Sequence, residues 1–193
     1  MQSLRRHLDA LEAAGKLERF DAPADVDTEV SAVSYVTYVN SRKACHFTNP
    51  AGFPGWEVAS QLVMDRSMWA IALGVPESEV VETFARRLAQ PIAPVIVGKG
   101  AVQEVFEEGD ALDLMKIPAM WTSQRDPGRY IASGMCIIKD PKTGIRNMSV
   151  HPPQLLGRYP PGPYMLPPPA VRNHPRHTGP GRPERGGTVR GGG

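Results

Sequence analysis

A mixed α/β fold is the class this sequence predicts, and three observations carry it. Apolar residues recur at helical steps in several early segments, and short β-branched or aromatic runs lie between them. Further on, a turn at Asp140-Pro141-Lys142-Thr143-Gly144 separates two runs that read as antiparallel strands.

Leu4, Leu8 and Leu11 recur at steps of four and three, and Gly15 closes that helix. Leu17 to Phe20 alternates like a short strand. A second helix is expected after Asp25 and Asp27, with Val30, Val33 and Val36 on one face, although its β-branched residues are weak helix formers. Ala44 to Phe47 reads as a strand, broken by Asn49-Pro50-Ala51-Gly52 and Pro54-Gly55. Met64 to Leu73 is a helix ended by Gly74. Pro76 to Glu79 starts another, which carries Val80, Val81, Phe84 and Leu88 inward and stops before Pro91. Residues 91–98 are an apolar, proline-punctuated crossing segment. Val102 to Phe106 and Tyr130 to Ile138 read as strands, the second apolar enough to be buried on both faces. Ile145 to His151 is the strand that answers it.

The chain has 193 residues, long enough for a sizeable core, with ordinary apolar and charged fractions. Its net charge of +2 gives no electrostatic reason for a nucleic-acid or membrane partner. That average hides a split. Residues 1–151 carry a net −3, whereas residues 152–193 carry a net +5 and 11 of the 20 prolines. No apolar stretch approaches the ~20 residues of a membrane-spanning helix. Arg5, Arg6 and His7 are followed by no apolar core of a secretory signal. Cys45 and Cys136 form no CxxC pair and are expected as two free, buried thiols in a cytoplasmic protein.

Motifs of common chemistries are absent: no phosphate loop, no GxGxxG, no GxSxG, no paired metal cysteines. His174 and His177 have HxxH spacing, but Pro175 between them opposes the helix that would make them co-ligands. Arg185-Gly186-Gly187 and Arg190-Gly191-Gly192 lack the interleaved aromatics of a single-strand-binding segment. The three tryptophans read as core or rim packing. On a regular strand Asn147, Ser149 and His151 share one face. Their chemistry allows a ligand site or a solvent-facing strand.

Read in order, several blocks resemble one family. They are Ser3-Leu4-Arg5 through Gly15-Lys16-Leu17, Asn49-Pro50-Ala51-Gly52-Phe53-Pro54-Gly55, Ala72-Leu73-Gly74-Val75-Pro76 and Val102-Gln103-Glu104-Val105. Asp113-Leu114 before Ile117-Pro118, Asp126-Pro127-Gly128-Arg129-Tyr130-Ile131 and Asp140 through His151 complete the series. Residues 3–151 resemble the N-terminal part of the UbiD family of decarboxylases, which use prenylated FMN.

The resemblance implies an N-terminal α/β region over 1–98 and part of a flavin-binding split β-barrel, of the flavin-reductase type, over 99–170. A disordered Pro/Gly/Arg-rich tail is expected over 171–193. It also implies a carboxy-lyase acting on a small aromatic or α,β-unsaturated carboxylic acid. The flavin would supply the electron sink and the protein positioning and proton delivery. Implied with the flavin are a divalent ion, usually manganese, and a potassium ion. Full-length members form homo-oligomers, and this chain would be less than half of one.

Carried over by position, Asn147 matches a metal ligand, while Val150, His151 and Leu166 match positions along the flavin. Pro152 stands where the family has an Arg of its catalytic network, and Pro169 or Ala170 where a His ligand belongs. The remaining ligand and both catalytic acids match no residue here, so no catalytic residue is assigned and the chain alone is expected to be inactive. A non-catalytic fragment, or a subunit completed by a partner, is the alternative. Between 152 and 169 proline recurs where the family has Arg, Leu or His, and beyond Ala170 the resemblance fades into Gly, Pro and Arg, so 152–193 reads as not a selected protein sequence.

Overall fold

The computed structural model describes residues 3–158. Helix α1 (Leu4–Ala13) starts at Ser3, whose hydroxyl accepts the Arg6 N–H, and ends where Gly15 turns left-handed at φ +67°. The Lys16 N–H returns to the Leu11 carbonyl and the Gly15 N–H to that of Glu12, a closure that glycine makes without steric cost. The chain then enters β1 (Leu17–Phe20).

Helix α2 (Val30–Ser41) forms despite its β-branched residues. Asp25 organises its entry by accepting the N–H groups of Asp27 and Thr28, and Glu29 reaches back to the Asp25 N–H. Burial of Val30 and Ser34 then outweighs the propensity of isolated residues. Val36, expected inward, faces solvent.

Strand β2 (Ala44–Phe47) is the centre of a three-stranded sheet, parallel to β1 and antiparallel to β3 (Val58–Ser60). All four β2 residues are buried, as for a strand covered on both faces. Cys45 and Phe47 join Val26, Val30 and Val58 in one cluster; Ala44 joins Leu11 and Met68 in another. Strand β3 had no legible signal: three residues between a turn-rich stretch and Gln61, which itself adopts φ +61°.

Helix α3 spans Arg66–Leu73, starting two residues after the expected Met64 because Asp65 is its cap, accepting the Met68 N–H at 3.0 Å. A 3-10 turn at Glu77–Glu79 leads into α4 (Val80–Ala89). Only part of its expected inward face is covered. Val80 and Thr83 are buried, whereas Val81, Phe84 and Leu88 are at least half exposed. The Phe84 ring meets Trp69 edge-on at 6.1 Å, and nothing among the described residues covers the rest of that stripe.

The strand expected over Val102 to Phe106 is not formed. A 3-10 turn at Ala101–Gln103 stands there, and Val102, Val105 and Phe106 are exposed, so no neighbouring strand rewards extension. The strand expected from Tyr130 is shorter: β4 covers Met135–Lys139 and pairs with β5 (Arg146–Val150). Alternate β4 residues are exposed, so it is a ribbon and not a strand buried on both faces. Tyr130 instead makes isolated bridges to Met120 and Gln154. Among the described residues the sheets have three and two strands, and no barrel closes. No helix there is long and apolar enough to cross a membrane.

Both cysteines are free; Cys45 is buried as expected, but Cys136 is only half-buried because the ribbon has little above it. Trp56, Trp69 and Trp121 are all partly exposed, which makes them rim residues.

Replacing the Asp65 cap with alanine is expected to lower stability by about 1 kcal/mol, read by urea denaturation. A midpoint unchanged from the parent would show that Ser67 or water replaces it.

Candidate functional site

The β4–β5 ribbon is built from its turn. Asp140 accepts the Lys142 and Thr143 N–H groups on Oδ1, and Gly144 takes φ +72° to bring the chain back. From there the register is unbroken: Ile138 faces Asn147, Ile137 faces Met148, Cys136 faces Ser149 and Met135 faces Val150. Two bonds fix which pairs exchange hydrogen bonds: Asp140 N–H to Ile145 O at the turn and His151 N–H to Gly134 O at 3.0 Å beyond the strand. Antiparallel alternation then makes Cys136–Ser149 and Ile138–Asn147 hydrogen-bonded pairs. The Val150 peptide N–H and C=O are left on the outer edge of β5, turned away from β4.

The same alternation separates the side chains. Asn147, Ser149 and His151 share one face with Cys136 and Ile138, as the sequence spacing implied. Met135, Ile137, Met148 and Val150 form the other face and are exposed. Val150 can therefore offer a ligand on the Asn147 face its backbone, not its side chain. Leu166 lies outside the described residues, as do Pro169, Ala170, the HxxH and RGG segments and the 171–193 tail.

Residues 151–155 continue the structure. The Ile131 N–H donates to Pro153 O at 3.0 Å, the Leu155 N–H to Arg129 O at 2.9 Å, and Leu155 is buried. The first residues of the 152–193 stretch are thus hydrogen-bonded into the fold.

Arg129 joins this unit to the first sheet. Its Nε and Nη2 donate to the two oxygens of Asp27, at 2.5 and 2.7 Å, and its guanidinium lies 5.4 Å from the centre of the Phe53 ring. These hydrogen bonds raise the Arg129 pKa above its already high ordinary value. Sequence reasoning missed the pair, because 102 residues separate its members and neither carries a local signal of the other. Alongside, a cleft of about 480 Å³ runs between Trp56–Val63 and the segments Ile117–Met120 and Tyr130–Ser133.

No group of three or more His, Cys, Asp or Glu able to hold a metal exists among the described residues. Asn147 offers a neutral oxygen donor, which suits a hard cation as one ligand of several. Cys45 is fully buried, and that burial pushes its thiol pKa up, away from the thiolate form a nucleophile needs.

The carboxylates with perturbed titration are structural. Asp21 is held below its ordinary range by the Thr48 hydroxyl and by Arg19, and Asp25 by the Asp27 N–H and Thr28. At Asp65 burial pushes upward, but the Ser67 hydroxyl and Met68 N–H outweigh it and the net shift is downward. A carboxylate whose folded pKa is depressed adds stability above its unfolded value of about 3.9, lost as pH falls through the folded value. Urea midpoints are expected to drop between pH 5 and pH 3; a flat profile would contradict the assignment.

Comparison with known proteins gives this geometry a context. Residues 8–88 match the N-terminal domain, and residues 95–178 the Rift-related domain, of 3-octaprenyl-4-hydroxybenzoate carboxy-lyase. A phenolic acid decarboxylase of Streptomyces sp. (strain D7) is 30% identical over 166 residues, covering 80% of this chain and 35% of the relative. An evolved dimeric form of the UbiD-class enzyme HmfF from Pelotomaculum thermopropionicum, solved with prFMN, superposes with a TM-score of 0.79 at 29% identity. It covers 86% of this chain and 39% of that one. Vanillic acid decarboxylase of Sedimentibacter hydroxybenzoicus, at 20% identity and a TM-score of 0.73, shares the fold. The chain spans about a third of the length of the curated relatives it matches. With two successive domains of one family matched in order along most of its length, the chain belongs to the UbiD family of carboxy-lyases, as an N-terminal portion of that fold.

Proposed function

We propose that this chain contributes the N-terminal α/β region and the first strands of the split flavin-binding barrel of a decarboxylase. Its substrate would be an aromatic or α,β-unsaturated carboxylic acid and its cofactor prenylated FMN, with a divalent ion, manganese, and a potassium ion. The boundaries proposed are 1–98 for the first region and 99–170 for the second. The observation that carries this reading is the ribbon, which keeps Asn147, Ser149 and His151 on one face and the Val150 peptide edge open, in a chain built like a prFMN-bound relative.

When bound, the prenylated flavin would supply an electron sink for the bond pair left on the substrate carbon when carbon dioxide departs. This chain's residues bind and orient. The Asn147 carboxamide oxygen would be one ligand of the divalent ion that ties down the flavin phosphate. His151 would lie along the cofactor and the Val150 peptide edge beside it. Pro152 has no charge and no N–H, so it delivers no proton, and no general acid is assigned in the chain. Turnover by the chain alone is therefore expected to be nil with prenylated FMN, manganese and a panel of aromatic acids.

The test of the seat itself is FMN binding, followed by flavin fluorescence with and without manganese. Manganese is expected to tighten FMN binding, and Asn147→Ala to abolish that gain, about tenfold. Binding indifferent to manganese, or to Asn147→Ala, would overturn the assignment. One observation favours a subunit completed by further polypeptide: Ile92, Val95, Ile96, Val102 and Phe106 are all more than three-quarters exposed, and Met135, Ile137, Met148 and Val150 of the ribbon are at least half exposed.

A further inference from the structure

The segment that leads from the first sheet toward the ribbon cannot orient it. Between α4 and Ile117 the chain has only 3-10 turns and mostly exposed side chains; its bonds from the Leu114 N–H to Arg158 O and from Arg158 Nε to Leu112 O tie it to the ribbon unit and not to the first sheet, so it does not align one on the other. Alignment must come from where the ribbon unit docks. Ala119 and Leu155 are buried there and Met120 packs on the first core cluster, but apolar contacts are non-directional and tolerate sliding. Among the described residues, two hydrogen-bonded contacts there are directional. One is the Trp121 N–H donated to Val26 O at 3.1 Å. The other is the two-pronged Arg129–Asp27 pair.

Both ends of that pair are themselves held. The Asp27 N–H is fixed by Asp25 Oδ1 at 2.7 Å, and the Arg129 guanidinium lies against the Phe53 ring. Two parallel N–H···O bonds fix angle as well as distance, which a single charge contact does not. From Arg129 a short backbone relay reaches the ribbon. Its carbonyl accepts from Leu155, the Ile131 N–H donates to Pro153 O, and Gly134 O accepts from His151, the entry to the face that carries Asn147.

We propose that Asp27 and Arg129 are positioning residues that set the angle of the β4–β5 ribbon on the N-terminal sheet, and through it the placement of Asn147 and His151. The link to cofactor placement rests on the function proposed above; the lock itself does not.

Amide hydrogen exchange on the full chain, read residue by residue, separates the two. With Asp27→Asn, exchange at Cys136, Ile138, Asn147, Ser149 and His151 is expected to rise at least tenfold, while Ala44–Phe47 changes less than twofold. Arg129→Lys keeps the charge but loses the fork, and is expected to give an intermediate rise. The charge-swapped double variant D27R/R129D is expected to recover most of the parent protection. Equal changes in sheet and ribbon would show a merely structural ion pair and overturn the proposal. So would no change in either, or an Arg129→Lys variant indistinguishable from the parent. FMN titration in manganese is run in parallel, where Asp27→Asn is expected to weaken binding at least fivefold. A parent chain that binds no flavin would refute the functional reading while the exchange pattern still decides the lock.

Discussion

Replacing Phe47 with alanine is expected to destabilise the chain by about 3–5 kcal/mol, the range for removing a large aromatic from a packed interior. Phe47 is 1% exposed, ends the central strand, and is paired with Phe20 on one side and Val58 on the other. Its ring stacks on Phe20 with centroids 4.9 Å apart and planes 16° off parallel, so truncation forfeits an aromatic contact as well as buried area. Its cluster draws on Val26 and Val30 at the entry and first turn of α2, and Met120 packs from the ribbon side. Collapse around the void is resisted from three directions, which favours the upper part of the range. Chemical denaturation monitored by circular dichroism measures it. A loss under about 1 kcal/mol would mean that the sheet repacks freely and is not the stabilising centre.

Gly134→Ala is expected to cost about 1–3 kcal/mol, for a reason unrelated to core volume. A methyl group there would stand 2.5 Å from Pro153 Cδ, 3.1 Å from Ile131 O and 3.2 Å from His151 O. Two of the three are backbone atoms and the third belongs to a rigid ring, so relief requires the strand entering the ribbon to part from residues 151–153. The His151 N–H bond to Gly134 O is the first that would stretch. Denaturation midpoints measure the loss, and faster exchange of the His151 amide locates it. A variant as stable as the parent, with that amide still protected, would refute the close packing of 134 against 153.

These two sites differ in how far sequence exposes them. Phe47 lies in a run of four, Ala44-Cys45-His46-Phe47, bounded by turn residues, and reads as a strand without any structure. Gly134 gives no such cue. It sits in an apolar run whose composition suggested one long strand from Tyr130, and only the approach of Pro153 shows why glycine stands there. The ribbon face of Asn147, Ser149 and His151 was legible because period-two alternation is intrinsic to a strand. That the opposite face, with Met135, Ile137, Met148 and Val150, stays exposed was not legible, because coverage depends on neighbours far away in sequence. The apolar stripe on α4 misled for the same reason: Val81, Phe84 and Leu88 have the right spacing, but spacing names a face and not what covers it.

Local chemistry alone determined the helices, the strands β1 and β2, the Asp140–Gly144 turn and the ordered blocks that identify the family. Each depends on propensities, caps or alternation acting within a few residues. Tertiary structure decided the rest: the brief β3, the absence of a strand at 102–106, the packing of residues 153–155 and the Asp27–Arg129 lock. Those depend on partners up to 102 residues away, whose encounter is set by how the whole chain closes and by no pattern at either position.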